Sequence, residues 1–288
     1  MKYHEFIIDQ NYDTIYHYLK RHQFSENYIK NLRKTWGNFV VNDEIVNIRK
    51  KLERGDRLKL NSNPNQKTTI MPCILPLDIV YEDKYYLLIN KPSGLSCMPN
   101  KSHYTNNLAG AITNYMHKKE EDFVLRIINR LDKDTAGIII VAKDSISQKE
   151  IKNINKTYFA VCKGTFSFPI TVNKSIKTIT NNGINKRKRI IADDGQTAIT
   201  HITPIKTGKN NTLISLKLEH GRTHQIRLHL SSINHPLIGD EIYGEKSNLI
   251  SHTALICKQL SFYHPFLKKT FNFEVDFPAD FQRLINDI

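Results

Sequence analysis

The hydrophobic pattern of the chain centres on residues 138–142, a short unbroken run of three isoleucines, one valine and one alanine. A run of this length that is rich in β-branched residues predicts a strand buried on both faces. The preceding residues 126–137 form a polar loop that ends at Gly137. The pattern therefore predicts that Asp132 and Asp134 lie at the mouth of a core strand, a common place for a catalytic group. On the residues alone, solvated turn positions are the alternative for both carboxylates.

Capping and alternation patterns divide the rest of the chain into two units. Residues 1–62 combine a leading strand, two short helices capped by Asp13 or Thr14 and by Ser25, and a hairpin pattern that turns at Asn42 and Asp43. Residues 63–76 are polar and contain prolines, which predicts a linker. Residues 77–288 form the larger unit. Its further strands are expected within residues 77–95, 156–164, 213–218 and 260–265, and its helices within 108–117, 145–155 and from about 223.

Composition limits where the protein works. Of its 288 residues 40% are hydrophobic, yet no apolar run approaches the roughly 20 residues that span a bilayer. The first residues lack an apolar core of signal-peptide length, so we expect a cytoplasmic protein with no membrane partner. The four cysteines are widely spaced without a C-x-x-C pair, which predicts reduced thiols rather than a zinc knuckle or a disulfide scaffold.

Charge indicates the class of partner. The formal net charge is +14, from 42 Lys+Arg against 28 Asp+Glu, and a polyanion is the natural partner of such a chain. Nucleic acid is favoured over a membrane surface because no basic amphipathic helix stands out. The basic cluster at residues 186–189 is typical of a nuclear localisation signal or of a basic β-hairpin that lies near phosphate, and we favour the hairpin.

Several strings in this sequence resemble one enzyme family. The string R-I-I-N-R-L-D-K-D-T-A-G-I-I-I-V-A-K of residues 126–143 resembles the signature H-R-L-D-x-x-T-S-G-L-L-L-x-A-K of RNA pseudouridine synthases of the RluA/RluD type. The resemblance spans about residues 77 to 284, and residues 1–62 more loosely resemble an α-L RNA-binding motif. The other matching strings are I-V-Y-E-D-x-x-x-L-L-I-N-K-P-x-G-L from residue 79, K-T-Y-F-A-V-C-K-G from 156, D-G-Q-T-A-I-T from 194, G-R-T-H-Q-I-R-L-H-L from 221 and H-P-L-I-G-D-E-I-Y-G from 235.

This resemblance implies an α+β fold with a mixed, largely antiparallel central sheet, and isomerisation of uridine to pseudouridine in structured RNA. The target base must be flipped out of its stack, and the redox-neutral reaction needs no cofactor. The family's usual substrate implies large-subunit ribosomal RNA, with tRNA as the alternative, and we expect a monomer. A catalytically inactive RNA-binding or ribosome-assembly factor on the same scaffold is the rival hypothesis.

The resemblance also assigns residues. It implies Asp132 as the nucleophile, acting through attack on ribose carbon 1′ or through a glycal, and Tyr158 stacked beneath the uracil with a hydroxyl able to act as acid or base. The resemblance further implies that Arg227 forms a buried, bidentate ion pair with Asp132. Without such a partner, burial would raise the pKa of the Asp132 carboxyl. Arg130 would fill the gap left by the flipped base. The remaining RNA-binding candidates are Asn129, which replaces the usual His, and Arg222, His224, Gln225 and Lys91.

Two of these assignments compete with simpler interpretations. Lys91 is as readily a charged strand end as a residue that contacts RNA. His220, His224 and His229 suggest a zinc hydrolase, but the spacing lacks both the H-E-x-x-H glutamate and a cysteine partner. We therefore expect no metal site.

Overall fold

The computed structural model describes residues 3–62, 68–99, 105–121, 124–180 and 187–288. The first part is a small sheet covered by two helices, with strand order β1-β4-β2-β3. Thr14 and Ser25 cap the two helices through their side-chain oxygens, as the sequence predicts. Its elements are β1 (Tyr3–Ile7), α1 (Ile15–Arg21), α2 (Glu26–Leu32), β2 (Phe39–Val41), β3 (Glu44–Ile45) and β4 (Arg57–Asn61).

The second part is a ten-stranded sheet with helices on both sides. Its first elements are β5 (Ile79–Glu82), β6 (Tyr86–Lys91), α3 (Leu108–Lys118), β7 (Arg126–Ile127), β8 (Ala136–Ala142), α4 (Ser145–Glu150), β9 (Lys152–Lys163) and β10 (Ile170–Asn173). A separate two-stranded hairpin follows, made of β11 (Ile176–Thr180) and β12 (Arg187–Ile191). The remaining elements are β13 (Ile199–Thr207), β14 (Asn211–Leu218), α5 (Gln225–Ser231), β15 (Leu255–His264), β16 (Lys269–Glu274) and α6 (Ala279–Asn286).

Strand order in this sheet is β10-β13-β14-β9-β15-β8-β6-β5, with β16 paired to β15 and β7 paired to β8. Among the described strand pairs, β8 with β15 is parallel and the others are antiparallel. The predicted α+β class with a mixed, largely antiparallel sheet is confirmed. None of the described helices has the length and apolarity that crossing a bilayer requires.

Strand β8 lies in the middle of the sheet and is buried along its whole length, as its apolar run predicts. Ile139 and Val141 belong to the core on the α3 side, whereas Ile138 and Ile140 belong to the core on the α6 side. The two-residue period of a strand places these alternating side chains on opposite faces. The hydrophobic run of β8 is continuous because both faces of the sheet are covered at this strand.

Gly137 allows the start of β8 to approach β15. Its φ is +113°, and a Cβ at this position would lie 2.3 Å from the carbonyl oxygen of Cys257, its register partner. Both the backbone angle and the space therefore require glycine. This contact fixes where the loop before β8 emerges from the sheet.

The two parts of the chain touch through buried groups. His4 Nε2 lies 3.0 Å from the carboxylate of Asp144, and both side chains are almost fully buried. Ile146 of α4 packs into the core of the first part. Residues 63–67 of the predicted linker lie outside the described residues, but Cys73 donates its backbone N–H to Gly110 in α3 at 3.0 Å. Part of the predicted linker is thus bound to the larger unit, and the division at residues 62 and 77 stays a prediction.

Two element predictions need correction or addition. The helix expected over residues 145–155 ends at Glu150, and β9 begins at Lys152. Pairing with β15, from Lys152 opposite Tyr263 onward, overrides the local helical pattern because the sheet satisfies the backbone groups of this polar segment. Helix α6 near the end of the chain has no counterpart among the predicted elements.

Candidate active site

The loop that carries Asp132 is fixed by hydrogen bonds to four consecutive carbonyl oxygens, those of residues 131–134. Cys97 Sγ donates to Leu131 O at 3.1 Å, and the backbone N–H of Thr135 donates to Asp132 O at 3.2 Å. Lys91 Nζ donates to Lys133 O at 3.0 Å, and Ser93 Oγ donates to Asp134 O at 2.9 Å. A loop held this way presents its side chains with little freedom, as a preorganised site requires.

Lys91 takes part in this scaffold and does not face RNA. Its side chain is fully buried, and the ammonium also donates to Pro92 O at 2.8 Å and Leu95 O at 2.9 Å. Burial lowers the pKa of Lys91 to about 8, and the nearby Asp134 and Asp132 carboxylates oppose this only partly. The interpretation of Lys91 as an RNA-binding residue is therefore wrong: it joins the turn after β6 to the Asp132 loop.

A cleft of about 790 Å³ opens beside Asp132. The sheet contributes Tyr158 and Leu255, α5 and the turn before it contribute His224 and Arg227, and Arg130 stands exposed at the rim. The side chain of Asp132 keeps 26% of its surface accessible. The carboxylate is thus reachable from the cleft without facing bulk solvent.

Arg227 binds a carboxylate other than the predicted one. Its Nε and Nη2 donate to the two oxygens of Asp240 at 2.8 and 2.6 Å, and the Asp240 side chain is fully buried. Burial alone would raise the pKa of Asp240, but the Arg227 guanidinium outweighs that effect and holds the pKa below its ordinary value. The predicted Asp132–Arg227 ion pair is present at 3.9 Å, but the bidentate hydrogen bonding expected of it is wrong, because Asp240 occupies the fork.

Asp132 nevertheless lies within reach of two nitrogens. Arg227 Nη1 is 3.9 Å and His224 Nε2 is 4.0 Å from Asp132 Oδ2, so both approach the same oxygen. These are charge–charge distances rather than hydrogen bonds. Such contacts are often long in a free enzyme and shorten when substrate binds.

Tyr158 lies on β9 with 6% of its surface accessible, opposite Cys257 on β15. Burial raises the pKa of Tyr158 well above its ordinary value, and the nearby Cys257 thiol and Asp132 act in the same direction. The phenol is therefore protonated at neutral pH. It can stack or donate a hydrogen bond, whereas a phenolate base is disfavoured.

The side-chain amides of Asn129 and Gln225, two of the predicted RNA-binding residues, form hydrogen bonds with the backbone. Asn129 is buried, donates to Ile138 O at 3.0 Å and accepts from the backbone N–H of Ile140 at 2.7 Å. Gln225 is buried, donates to Ile199 O at 3.0 Å and accepts from the backbone N–H of Arg222 at 3.0 Å. Both residues line the cleft, but their polar atoms hold β8 and the turn before α5, so RNA binding by Asn129 and Gln225 stays a prediction.

Arg222, His224 and His229 have separate surroundings. Arg222 is partly exposed at the cleft, and its Nε donates to Thr197 O at 3.2 Å. His229 is buried between Thr200 Oγ1 and Lys174 O, both at 2.9 Å, while His224 faces the cleft. Within the described residues, no three His, Cys, Asp or Glu side chains gather as a metal site would require.

Sequence reasoning missed three residues of the site. Asp240 and Tyr243 lie in the string H-P-L-I-G-D-E-I-Y-G, which carried the family resemblance but received no role. Leu255 lines the cleft from the start of β15. The available signal for Asp240 was a carboxylate in the segment that follows the helix carrying Arg227. Such a carboxylate is a candidate partner for that arginine, because buried charges need a partner.

Comparisons with known proteins show the family of this chain. A family model described as RNA pseudouridylate synthase matches residues 85–232. An uncharacterized RNA pseudouridine synthase of Bacillus subtilis, YhcT, is 34% identical over 85% of this chain and 83% of its own. The ribosomal large subunit pseudouridine synthase D of Zymomonas mobilis is 35% identical over 74% of this chain and 73% of its own.

A solved structure with a similar name has a similar fold. The solved structure of human RNA pseudouridylate synthase domain containing 1 has a TM-score of 0.57 at 20% identity, covering 74% of this chain and 86% of that one. The protein belongs to the RNA pseudouridylate synthase family. It is an isomerase that acts on RNA and forms pseudouridine.

Proposed function

We propose that the protein isomerises uridine in large-subunit ribosomal RNA, with Asp132 as the nucleophile. The observation that carries this proposal is a partly accessible carboxylate in a rigid loop, within 4.0 Å of two nitrogens, beside a cleft lined by a buried tyrosine. The cleft volume of about 790 Å³ falls within the range of about 300–1,000 Å³ that is common for small-molecule sites. The name of the Zymomonas relative supports the ribosomal target.

The chemistry follows from an anion beside a flipped nucleotide. In one route the Asp132 carboxylate attacks ribose C1′, the C1′–N1 bond breaks, and its electron pair leaves on the uracil ring. The ring rotates, C5 attacks C1′ and expels Asp132, a base takes the proton from C5, and N1 gains a proton. In the other route Asp132 removes the C2′ proton as the C1′–N1 bond breaks, which gives a glycal and a uracil anion. C5 of the rotated ring then adds to C1′, C2′ regains its proton from Asp132, and the same proton shift from C5 to N1 completes the reaction. Both routes need an ionised Asp132, and the Arg227 cation lies 3.9 Å from its Oδ2.

Tyr158 and the basic surface have separate roles in this proposal. Tyr158 stacks against the uracil, an interaction worth roughly 1–3 kcal/mol per base. Arg130 at the rim occupies the space that the flipped base leaves. The net charge of +14 attracts the protein to RNA. The small first unit binds phosphates of the folded RNA through exposed basic side chains such as Arg33 and Lys34.

The test is Asp132→Asn in the full chain, with Asp134→Asn from the same loop as the matched control. Unmodified large-subunit ribosomal RNA and tRNA are incubated with each protein, and pseudouridine is mapped by reverse-transcription stops after carbodiimide treatment. We expect D132N to form no pseudouridine while it still binds ribosomal RNA, and D134N to remain active.

Each other result has a definite meaning. Turnover by D132N contradicts the nucleophile. Modification of tRNA alone contradicts the ribosomal target and favours the tRNA alternative. Binding without modification by the wild-type protein on every RNA favours an inactive binding factor.

A further inference from the structure

His224 has a left-handed backbone. Its φ is +58°, and it precedes α5 without making a side-chain cap hydrogen bond. This conformation is strained for an L-residue. Residues held in this way often cluster where the side chain has a task. The geometry around the imidazole indicates which task.

The two ring nitrogens of His224 face different groups. Nδ1 lies 3.1 Å from the hydroxyl of Tyr243, and Nε2 lies 4.0 Å from Asp132 Oδ2. Tyr243 is itself fixed: its backbone N–H donates to Asp240 at 3.1 Å, and its carbonyl accepts from Ser231 Oγ at 2.6 Å. The phenol is therefore held to α5 and to the carboxylate that binds Arg227.

The group that each nitrogen faces decides which one carries the proton. The carboxylate of Asp132 can only accept, so Nε2 can bond to it only as an N–H, whereas the Tyr243 hydroxyl can either donate or accept. A neutral imidazole has one N–H. With that proton on Nε2, Nδ1 accepts from the Tyr243 hydroxyl at 3.1 Å.

Charge around the ring agrees with a neutral imidazole. Burial lowers the pKa of His224 below its ordinary value. Asp132 and Asp240 oppose this, and Arg227 and Arg189 reinforce it. A neutral Nε2–H can donate to a carboxylate without giving up a proton that would neutralise the anion.

We propose that His224, set by Tyr243 as the Nε2–H tautomer, is a positioning residue that donates a hydrogen bond to Asp132 Oδ2 when RNA binds. Arg227 Nη1 approaches the same oxygen from 3.9 Å. With Oδ2 held by two N–H groups, Oδ1 is the oxygen presented to the ribose. This inference deepens the proposed function and rests on Asp132 as the nucleophile.

Three substitutions at one position separate this role from RNA binding and from backbone support. His224→Gln places an N–H near the position of Nε2, whereas His224→Asn reaches only as far as Nδ1. Asn tolerates the left-handed backbone, so H224N keeps the fold and the approach to Tyr243. His224→Ala removes both the N–H near Asp132 and the contact with Tyr243.

We expect kcat on ribosomal RNA to fall about 10- to 100-fold in H224A and H224N, the size of one hydrogen bond to a charged group. KM should change little, and H224Q should recover most of kcat. Equal activity of H224N and wild type overturns the proposal, and so does a loss that appears in KM alone, which indicates an RNA contact instead.

A second measurement does not depend on turnover. Nitrogen-15 NMR of histidine-labelled full chain should show His224 as the Nε2–H tautomer at pH 7, and Tyr243→Phe should shift it toward a mixture. Asp132→Asn should lower the pKa of His224 further, because the Asp132 charge favours the imidazolium. A dominant Nδ1–H tautomer overturns the proposal. Turnover by D132N contradicts the proposed function instead, and the NMR result then still reports the tautomer.

Discussion

Asp240 offers the most direct test of the ion pair that supports the site. Its fully buried carboxylate receives two hydrogen bonds from Arg227, which is itself 3% exposed. It also accepts from the backbone N–H groups of Ile242 and Tyr243 at 3.0 and 3.1 Å. Asp240→Asn keeps the volume but removes the charge, and this leaves the buried Arg227 cation with Asp132, at 3.9 Å, in place of its hydrogen-bonded counter-ion.

Breaking a buried ion pair at one partner costs about 3–5 kcal/mol of unfolding free energy. We expect a loss of this size in D240N, measured by urea unfolding at pH 7. Glu241→Gln is the matched control, because Glu241 pairs with Lys246 at 3.6 Å and both side chains are largely exposed. Exposed pairs contribute about 0–1 kcal/mol. We also expect kcat to fall by about 10², since a guanidinium displaced by about 1 Å disturbs the site by that factor.

Two further measurements sharpen this prediction. In an Arg227→Gln background the cost of D240N should shrink, because the unpaired cation is gone. The pH dependence has a definite sign. The pKa of Asp240 is lowered in the folded state, so its contribution is complete above the unfolded pKa of about 3.9. The deficit of D240N should stay constant between pH 7 and 5 and shrink only as pH falls below about 4. A loss under 1 kcal/mol, or the same loss in both backgrounds, refutes the reasoning.

Two other predictions concern the scaffold. Lys91→Met removes the donor to three carbonyls and loosens the Asp132 loop. It should lower kcat by about 10² and leave the affinity for ribosomal RNA unchanged. An unaltered kcat would show that the hydrogen bonds from Ser93, Cys97 and Thr135 hold the loop without Lys91. Gly137→Ala should cost several kcal/mol or prevent folding, because its Cβ would lie 2.3 Å from a backbone oxygen at φ +113°. Gly221→Ala, where nothing lies within 4 Å, should change the melting temperature little, and equal effects of the two substitutions would contradict the packing argument.

Local sequence determined the elements whose signals are local. The apolar run at 138–142 predicted a strand buried on both faces. Ser25 predicted one helix start, and Asp13 or Thr14 predicted the other, where Thr14 is the cap. Asn42 and Asp43 predicted a turn, and both have positive φ. Periodicity, capping and turn conformation depend on neighbours a few residues apart, so one sequence suffices to find them. The motif around Asp132 likewise indicated the family and the place of the site.

Only the tertiary structure decided which partner each buried polar group has. The sequence supplied Arg227 and several carboxylates, but the turn after α5 brings Asp240, not Asp132, into the guanidinium fork. Lys91 reaches the carbonyl of Lys133, 42 residues away, and not RNA. Buried amides and charges must find partners wherever the packed chain places them, and that placement is set by the register and the crossing of distant strands. For this reason the sequence indicated which residues surround the reaction, and the fold decided which of them act and which hold the others in place.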